Sequence, residues 1–226
     1  MNNRQKLEKF GLYDPRFEHD ACGVGFVCNI KGRKSHEIVR QGLEVLRRLA
    51  HRGATGADSK TGDGAGLLFQ IPHEFLFSAC QKNKIDLPQE GCYGVGNVFL
   101  PTNEKERKFC KDVFSRIIKG QGQILLGWRA VPVDDSDIGH TAKLTQPAIE
   151  QIFISKNKSL NDQLAFERKL YVIRKLVENF IRSSSLKQKS FFYITNLSCR
   201  TISYKGLLMP TQVGDYFLDL KNVHFK

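Results

Sequence analysis

From residue 22 to residue 30 apolar positions alternate with glycine or polar ones, the period of two expected of a strand. The alternation stops at Lys31-Gly32-Arg33-Lys34, a glycine flanked by charge that predicts a turn. The period then changes. Val39, Leu43, Leu46 and Ala50 recur at three or four residues while Glu37, Arg40, Glu44 and Arg47 fall mainly elsewhere, which predicts an amphipathic helix from an N-cap at Ser35 to about His51, with Gly53 placed to stop it. Beyond a glycine-rich stretch the pattern predicts a strand at 67–71, a helix from Pro72 to about Asn83 and a strand at 93–100. A helix follows at 103–119, with Phe109, Val113 and Ile117 inward, then a strand at 123–133 carrying Trp128, and a polar loop at 134–147. A further element at 148–155 leads to a long helix over 161–183. Its apolar stripe is Phe166, Leu170, Ile173, Val177 and either Phe180 or Ile181, and two strands at 191–197 and 201–204 come last. Neither internal repeats nor low-complexity tracts interrupt the series.

Mixed strands and helices of this kind suit an α/β or α+β layered domain. At 226 residues and 41% hydrophobic, the chain can bury one sizeable core or two small ones. The formal net charge of +12 raises nucleic acid as a partner, and residues 156–189 alone hold nine Lys or Arg against three Asp or Glu. Those charges lie mostly off the apolar stripe of the long helix, the pattern of a solvated face. With no zinc-finger spacing, glycine-aromatic strand motif or helix-turn-helix pattern, a nucleic-acid partner is not expected. No apolar run approaches the length of a membrane span, and Met1-Asn2-Asn3-Arg4-Gln5-Lys6 opens no signal segment, so a soluble, cytoplasmic protein without a membrane partner is expected. The six cysteines, at 22, 28, 80, 92, 110 and 199, show no CxxC spacing. That argues against a zinc site or disulfide framework and for a reducing compartment.

Two stretches carry candidate chemistry. The first is Asp20-Ala21-Cys22-Gly23-Val24-Gly25-Phe26. Read alone, Cys22 is a buried strand thiol. If the Ala21–Cys22 bond is cut, however, Cys22 supplies both a nucleophilic thiol and an α-amine, a group that titrates at about 7.7–8.0, so that one residue is nucleophile and general base together. The second is HRGATGADSKTGDGAG at 51–66, too flexible for a helix and too long for a tight turn. Its glycines and alanines let the backbone come close to a ligand or another strand.

DACGVGF, LRRLAHRGATGAD and TGDGAG together resemble the start of the large subunit of glutamate synthase, whose first domain is a class II glutamine amidotransferase. GLYDPRF at 11–17 resembles the short leader before the catalytic cysteine of that family, and FFYITNLSCRTISYKGLL at 191–208 extends the likeness weakly. The resemblance implies an α+β fold, a four-layer αββα sandwich of the N-terminal-nucleophile hydrolase type, with Cys22 heading its first strand. It implies a leader over 1–21 and the first part of the amidotransferase domain over 22–226. The implied chemistry is hydrolysis of the L-glutamine side-chain amide. The Cys22 thiolate attacks the carboxamide carbon, ammonia leaves, water releases glutamate from the thioester, and the α-amine moves the proton.

By the same resemblance Arg52, Gly53 and Asp63 bind substrate or support the site. Arg52 holds the nucleophile's surroundings or the substrate carboxylate, or else satisfies helix-end carbonyls, and Asp63 anchors its loop through backbone amides. His51 is structural and Cys28 a core thiol. No metal or cofactor is expected in this segment. The family's FMN and iron–sulfur cluster belong to synthase domains, and the expected partners are the remainder of the large subunit and its small subunit. One departure stands out. The family forms its oxyanion hole with an Asn-Gly pair, and this sequence contains no Asn-Gly. Since losing one such donor costs about 10²- to 10³-fold in turnover, the chain reads as a truncated domain inactive on its own, the alternative being a non-catalytic binding or scaffold role.

Overall fold

The computed structural model describes residues 22–160 and 162–226, so the expected leader at 1–21 lies outside the described residues. The helices are α1 (His36–Arg48), α2 (His73–Lys82), α3 (Glu104–Gly120), α4 (His140–Leu144), α5 (Gln163–Ser183) and α6 (Val213–Tyr216). The strands are β1 (Ala65–Gln70), β2 (Tyr93–Leu100), β3 (Ile124–Ala130), β4 (Ala148–Ser155), β5 (Tyr193–Ile194) and β6 (Thr201–Gly206). Short 3₁₀ turns at Ala50–Arg52, Lys189–Phe191 and Leu218–Lys221 complete the elements.

Among the described residues all strand pairings are antiparallel. Four strands form a sheet in the order β3-β4-β2-β5, while β1 and β6 form a two-stranded sheet in which Leu67 faces Tyr204 and Phe69 faces Ile202. Because side chains alternate along a strand, β2 divides its residues between two cores. Val98 and Leu100, with Ile152 and Ile154 of β4, meet Val113, Phe114 and Ile118 of α3 and Phe166, Leu170, Ile173, Val177 and Ile181 of α5. Tyr93 and Val95, with Phe153, turn the other way. They meet Ile202 and Tyr204 of β6, Phe75, Leu76 and Cys80 of α2, and Val39 of α1. The layers therefore run from the α3/α5 pair through the large sheet and the small sheet, with α1 lying along β1. The α5 stripe is the predicted one, resolved in favour of Ile181; Phe180 is partly exposed. Each such large side chain taken from water contributes about 1.5–3 kcal/mol.

A polar knot crosses the sheet-to-sheet core. Arg129 of β3 donates to both Asp219 oxygens (2.6 and 2.8 Å) and to Gln151 Oε1 (2.7 Å). The Tyr204 hydroxyl donates to Asp219 Oδ2 (2.8 Å) and accepts from Gln151 Nε2 (2.7 Å). Burial, then the neighbouring carboxylate, pushes the Tyr204 phenol well above its ordinary range, so it stays a donor. On β2, a Cβ added at Gly96 would run into the Asn196 carbonyl. Gly96→Ala is therefore expected to force β2 and the β5 region apart at a cost of about 1–3 kcal/mol, read as a lower midpoint in urea unfolding.

Several expectations change. Residues 22–29 belong to no strand, and Val24 and Phe26 are each 89% exposed. The segment rests its glycine side on α1 instead. A Cβ at Gly25 would lie 2.7 Å from Val45, and one at Gly23 would lie 3.2 Å from Leu49. Cys28 is exposed rather than a core thiol, for the same reason. Phe109 is also half-exposed, its inward place on α3 taken by Cys110 and Phe114. Within the expected loop at 134–147 sits the single-turn α4. The expected strand at 191–197 shrinks to the two residues of β5.

Candidate active site

Helix α1 hands the chain directly to the site. Its end tightens into the 3₁₀ turn, Arg52 N donating to Leu49 O (2.8 Å), and His51 Nδ1 donates to the Arg48 carbonyl (2.9 Å), which satisfies one of the helix-end acceptors. The glycine-rich stretch then folds back on itself as a small hairpin. Gly56 N donates to Thr61 O (2.9 Å), Asp63 N donates to Ala54 O (3.1 Å), and Thr55 bridges Gly62. At its tip Asp58 accepts from Lys60 N and from the Thr61 hydroxyl, both at 3.0 Å, an Asx turn. These bonds, the one to the Lys60 amide first, hold the Asp58 carboxyl below the usual range. Gly62 lies so close to the backbone of Leu208 and Met209 that a Cβ has no room.

Four residues singled out in the sequence converge at this end of the small sheet. Cys22 is exposed, and its neighbour Gly23 lies against Arg52, 3.2 Å separating that residue's Cβ from a Cβ built on the glycine. A Cβ on Gly53 would lie 3.5 Å from Asp63 Oδ1 and 3.8 Å from Pro210. Among the described residues, neither the Arg52 guanidinium nor the Asp63 carboxylate has a hydrogen-bond partner, and the carboxylate that ties the loop is Asp58. A cavity of about 470 Å³ lies next to this segment, between residues 23–27, the Ile38–Leu49 side of α1 and β1, and Cys22, Arg52, Gly53 and Asp63 do not line it. Among the described residues, no group of three or more His, Cys, Asp or Glu is arranged to hold a metal ion, and no helix is long and apolar enough to cross a membrane.

The other cysteines sort by environment. Burial pushes the thiols of Cys80, Cys110 and Cys199 up to about 12, where thiolate is scarce at neutral pH. Cys22 and Cys28 are exposed, and Cys92 is half-buried.

Sequence reasoning overlooked Asp58 and Gln212. The Asp-Ser-Lys-Thr string at 58–61 carries an Asx-turn signal that points to the first. Gln212, a lone polar residue far along the chain, carries none.

Residues 22–226 match the family model for class-II glutamine amidotransferases, the match beginning at Cys22. The whole chain is similar to 14% of the glutamate synthase [NADPH] large chain of Bacillus subtilis (strain 168), 47% identical over 225 residues. Glutamate synthase [NADH] of Saccharomyces cerevisiae is 41% identical over 229 residues, which cover 97% of this chain and 10% of that protein. The chloroplastic ferredoxin-dependent glutamate synthase of Oryza sativa subsp. japonica is 41% identical over 209 residues, or 92% of this chain and 13% of that protein. The chain thus spans a small part of the relatives it matches, and its two-sheet α+β architecture fits the matched family. It belongs to the class-II glutamine amidotransferases.

Proposed function

We propose that this chain carries the glutaminase chemistry of a glutamate synthase large chain, with Cys22 as an amino-terminal nucleophile after loss of residues 1–21. The observation that supports this most is the coincidence of two independent facts. The family match begins at Cys22, and the backbone beside Cys22 packs against Arg52 at the mouth of the Gly53–Asp63 loop. In this reading the thiolate attacks the glutamine carboxamide carbon, the α-amine takes and returns the proton, and ammonia leaves ahead of hydrolysis of the thioester. Arg52 faces the substrate carboxylate, while Gly53 and Asp63 shape the loop beside it. FMN and an iron–sulfur cluster belong to the synthase parts of a full-length enzyme. In this reading the protein works in the cytoplasm, with the remainder of a large chain and a small subunit as its partners.

Two further features bear on activity. No Asn-Gly pair supplies oxyanion donors. Leu68 and Leu207 are both more than half exposed at the small sheet, an apolar surface suited to cover by the remainder of a large chain. Residues 1–226 alone are accordingly expected to release ammonia from glutamine at least about 10²-fold more slowly than the common range of about 1–10³ per second. Intact-mass analysis tests the nucleophile directly. A mass lacking residues 1–21 is expected, and a purified chain that keeps Met1–Ala21 while hydrolysing glutamine would overturn the assignment.

A further inference from the structure

The glycine-rich hairpin has little ladder of its own, so its position depends on what holds it from outside. Three contacts do so. Gln212, only 3% exposed, donates through Nε2 to the carbonyls of Lys60 (3.0 Å) and Asp137 (2.6 Å), and its Oε1 accepts from Met209 N (2.8 Å). Every hydrogen-bonding position of that amide group but one lone pair is thereby used, and one side chain joins three separate stretches of chain. Asp58 reaches across as well, its Oδ2 accepting from Thr141 N (3.3 Å) at the start of α4. Gly139 N donates to the same Lys60 carbonyl (3.1 Å), and a Cβ at Gly139 would collide with Asp58 and Thr61. An exposed Lys60–Asp137 pair at 2.5 Å lies over the same junction and adds little by itself.

We propose that Gln212 and Asp58 are positioning residues. Together they latch the hairpin tip to residues 137–141 and 209–212, and so fix the Gly53–Asp63 mouth relative to Cys22. The loop at 134–147 is then a strut for the site rather than a passive connection. Gln212 touches no substrate in this arrangement; it acts through the hairpin. The consequence for Cys22 rests on the glutaminase reading, but the latch itself does not.

The test uses the full chain and follows amide hydrogen exchange together with thiol modification. Gln212→Met keeps the length of the side chain and removes its hydrogen bonds. The amides of Gly56, Asp63 and Gly139 are expected to exchange about tenfold faster, while those of β2 and β4 keep their protection. Asp58→Ala, a change at the surface side of the latch, is expected to give the same local pattern, and Asp58→Asn to restore most of the protection. Unchanged exchange in the hairpin, or a rise spread evenly over β2 and β4, would overturn the latch.

For its consequence, the rate at which a glutamine-mimicking electrophile modifies Cys22 is divided by the rate for iodoacetamide. That ratio is expected to fall in Gln212→Met while the iodoacetamide rate holds. An unchanged ratio, given a clear preference in the parent chain, would overturn the positioning role. A parent chain that shows no preference would count against the glutaminase reading alone, and the exchange pattern would still decide the latch.

Discussion

Replacing Asp219 with alanine is expected to lower the unfolding free energy by about 3–5 kcal/mol, which for a chain of this size corresponds to a fall in Tm of about 6–20 °C. The reason is what the substitution leaves behind. The Arg129 and Asp219 side chains are only 8% and 2% exposed, so removing the carboxylate leaves a buried guanidinium without its counter-charge. It would keep the Gln151 oxygen and the face of the Phe75 ring, 5.4 Å away, neither of which balances a buried cation. The Tyr204 hydroxyl would lose its acceptor at the same time. A double replacement, Arg129→Met with Asp219→Leu, removes both charges and is expected to recover most of the loss. Urea unfolding of the two variants checks this, and a cost below about 1 kcal/mol for Asp219→Ala would show that the pair is hydrated in solution.

Cys22→Ala is expected to abolish stoichiometric labelling by a glutamine-mimicking electrophile in the chain that begins at residue 22, whereas Cys28→Ala leaves it intact. Competition is limited by the fold. Cys80, Cys110 and Cys199 sit where burial raises the thiol to about 12, so at neutral pH they offer almost no thiolate. Exposure alone does not separate Cys22 from Cys28, but Cys22 would carry an α-amine, and its neighbour Gly23 lies against Arg52. Because a protonated α-amine cannot act as the base, the labelling rate should climb as pH rises through about 7.7–8.0 and then level off. Peptide mapping decides the matter, and an adduct on Cys28 or Cys92 with Cys22 free would remove Cys22 from the mechanism.

Periodic elements with a single buried face were legible in the sequence. The α5 stripe was read from Phe166 to Val177, with only its last position, Phe180 or Ile181, left open, because a 3.6-residue repeat over 21 residues fixes one face, and Asn103 was read as the start of α3, where its side chain accepts from Glu106 N. Residues 22–30 show the limit of that reasoning. Their alternation describes a strand equally well with or without a neighbour, and a strand exists only when another backbone pairs with it. Here the two glycines let the segment lie on Val45 and Leu49 of α1, which no local pattern specifies. The site divides in the same way. Its motif residues announced themselves through their glycines, but the hold that Gln212 exerts on Lys60 and Asp137 joins residues distant in sequence, and a lone glutamine gives no sign of such a partner.

The β1–β6 pairing imposes a schedule on synthesis. Its nearest register pair, Gln70 with Thr201, closes a loop of more than half the chain, whereas β2, β4, α3 and α5 meet at shorter separations. Since closing long loops slows folding, the large sheet and its helix pair should form first and the small sheet last. At about 5–20 residues per second, the ribosome makes Cys22 and the glycine-rich hairpin on the order of ten seconds before the strand that completes their platform. Throughout that interval the nascent chain carries its thiol and hairpin without the sheet that supports them, and pulse-labelling of stalled chains should find the platform absent until β6 has left the exit tunnel.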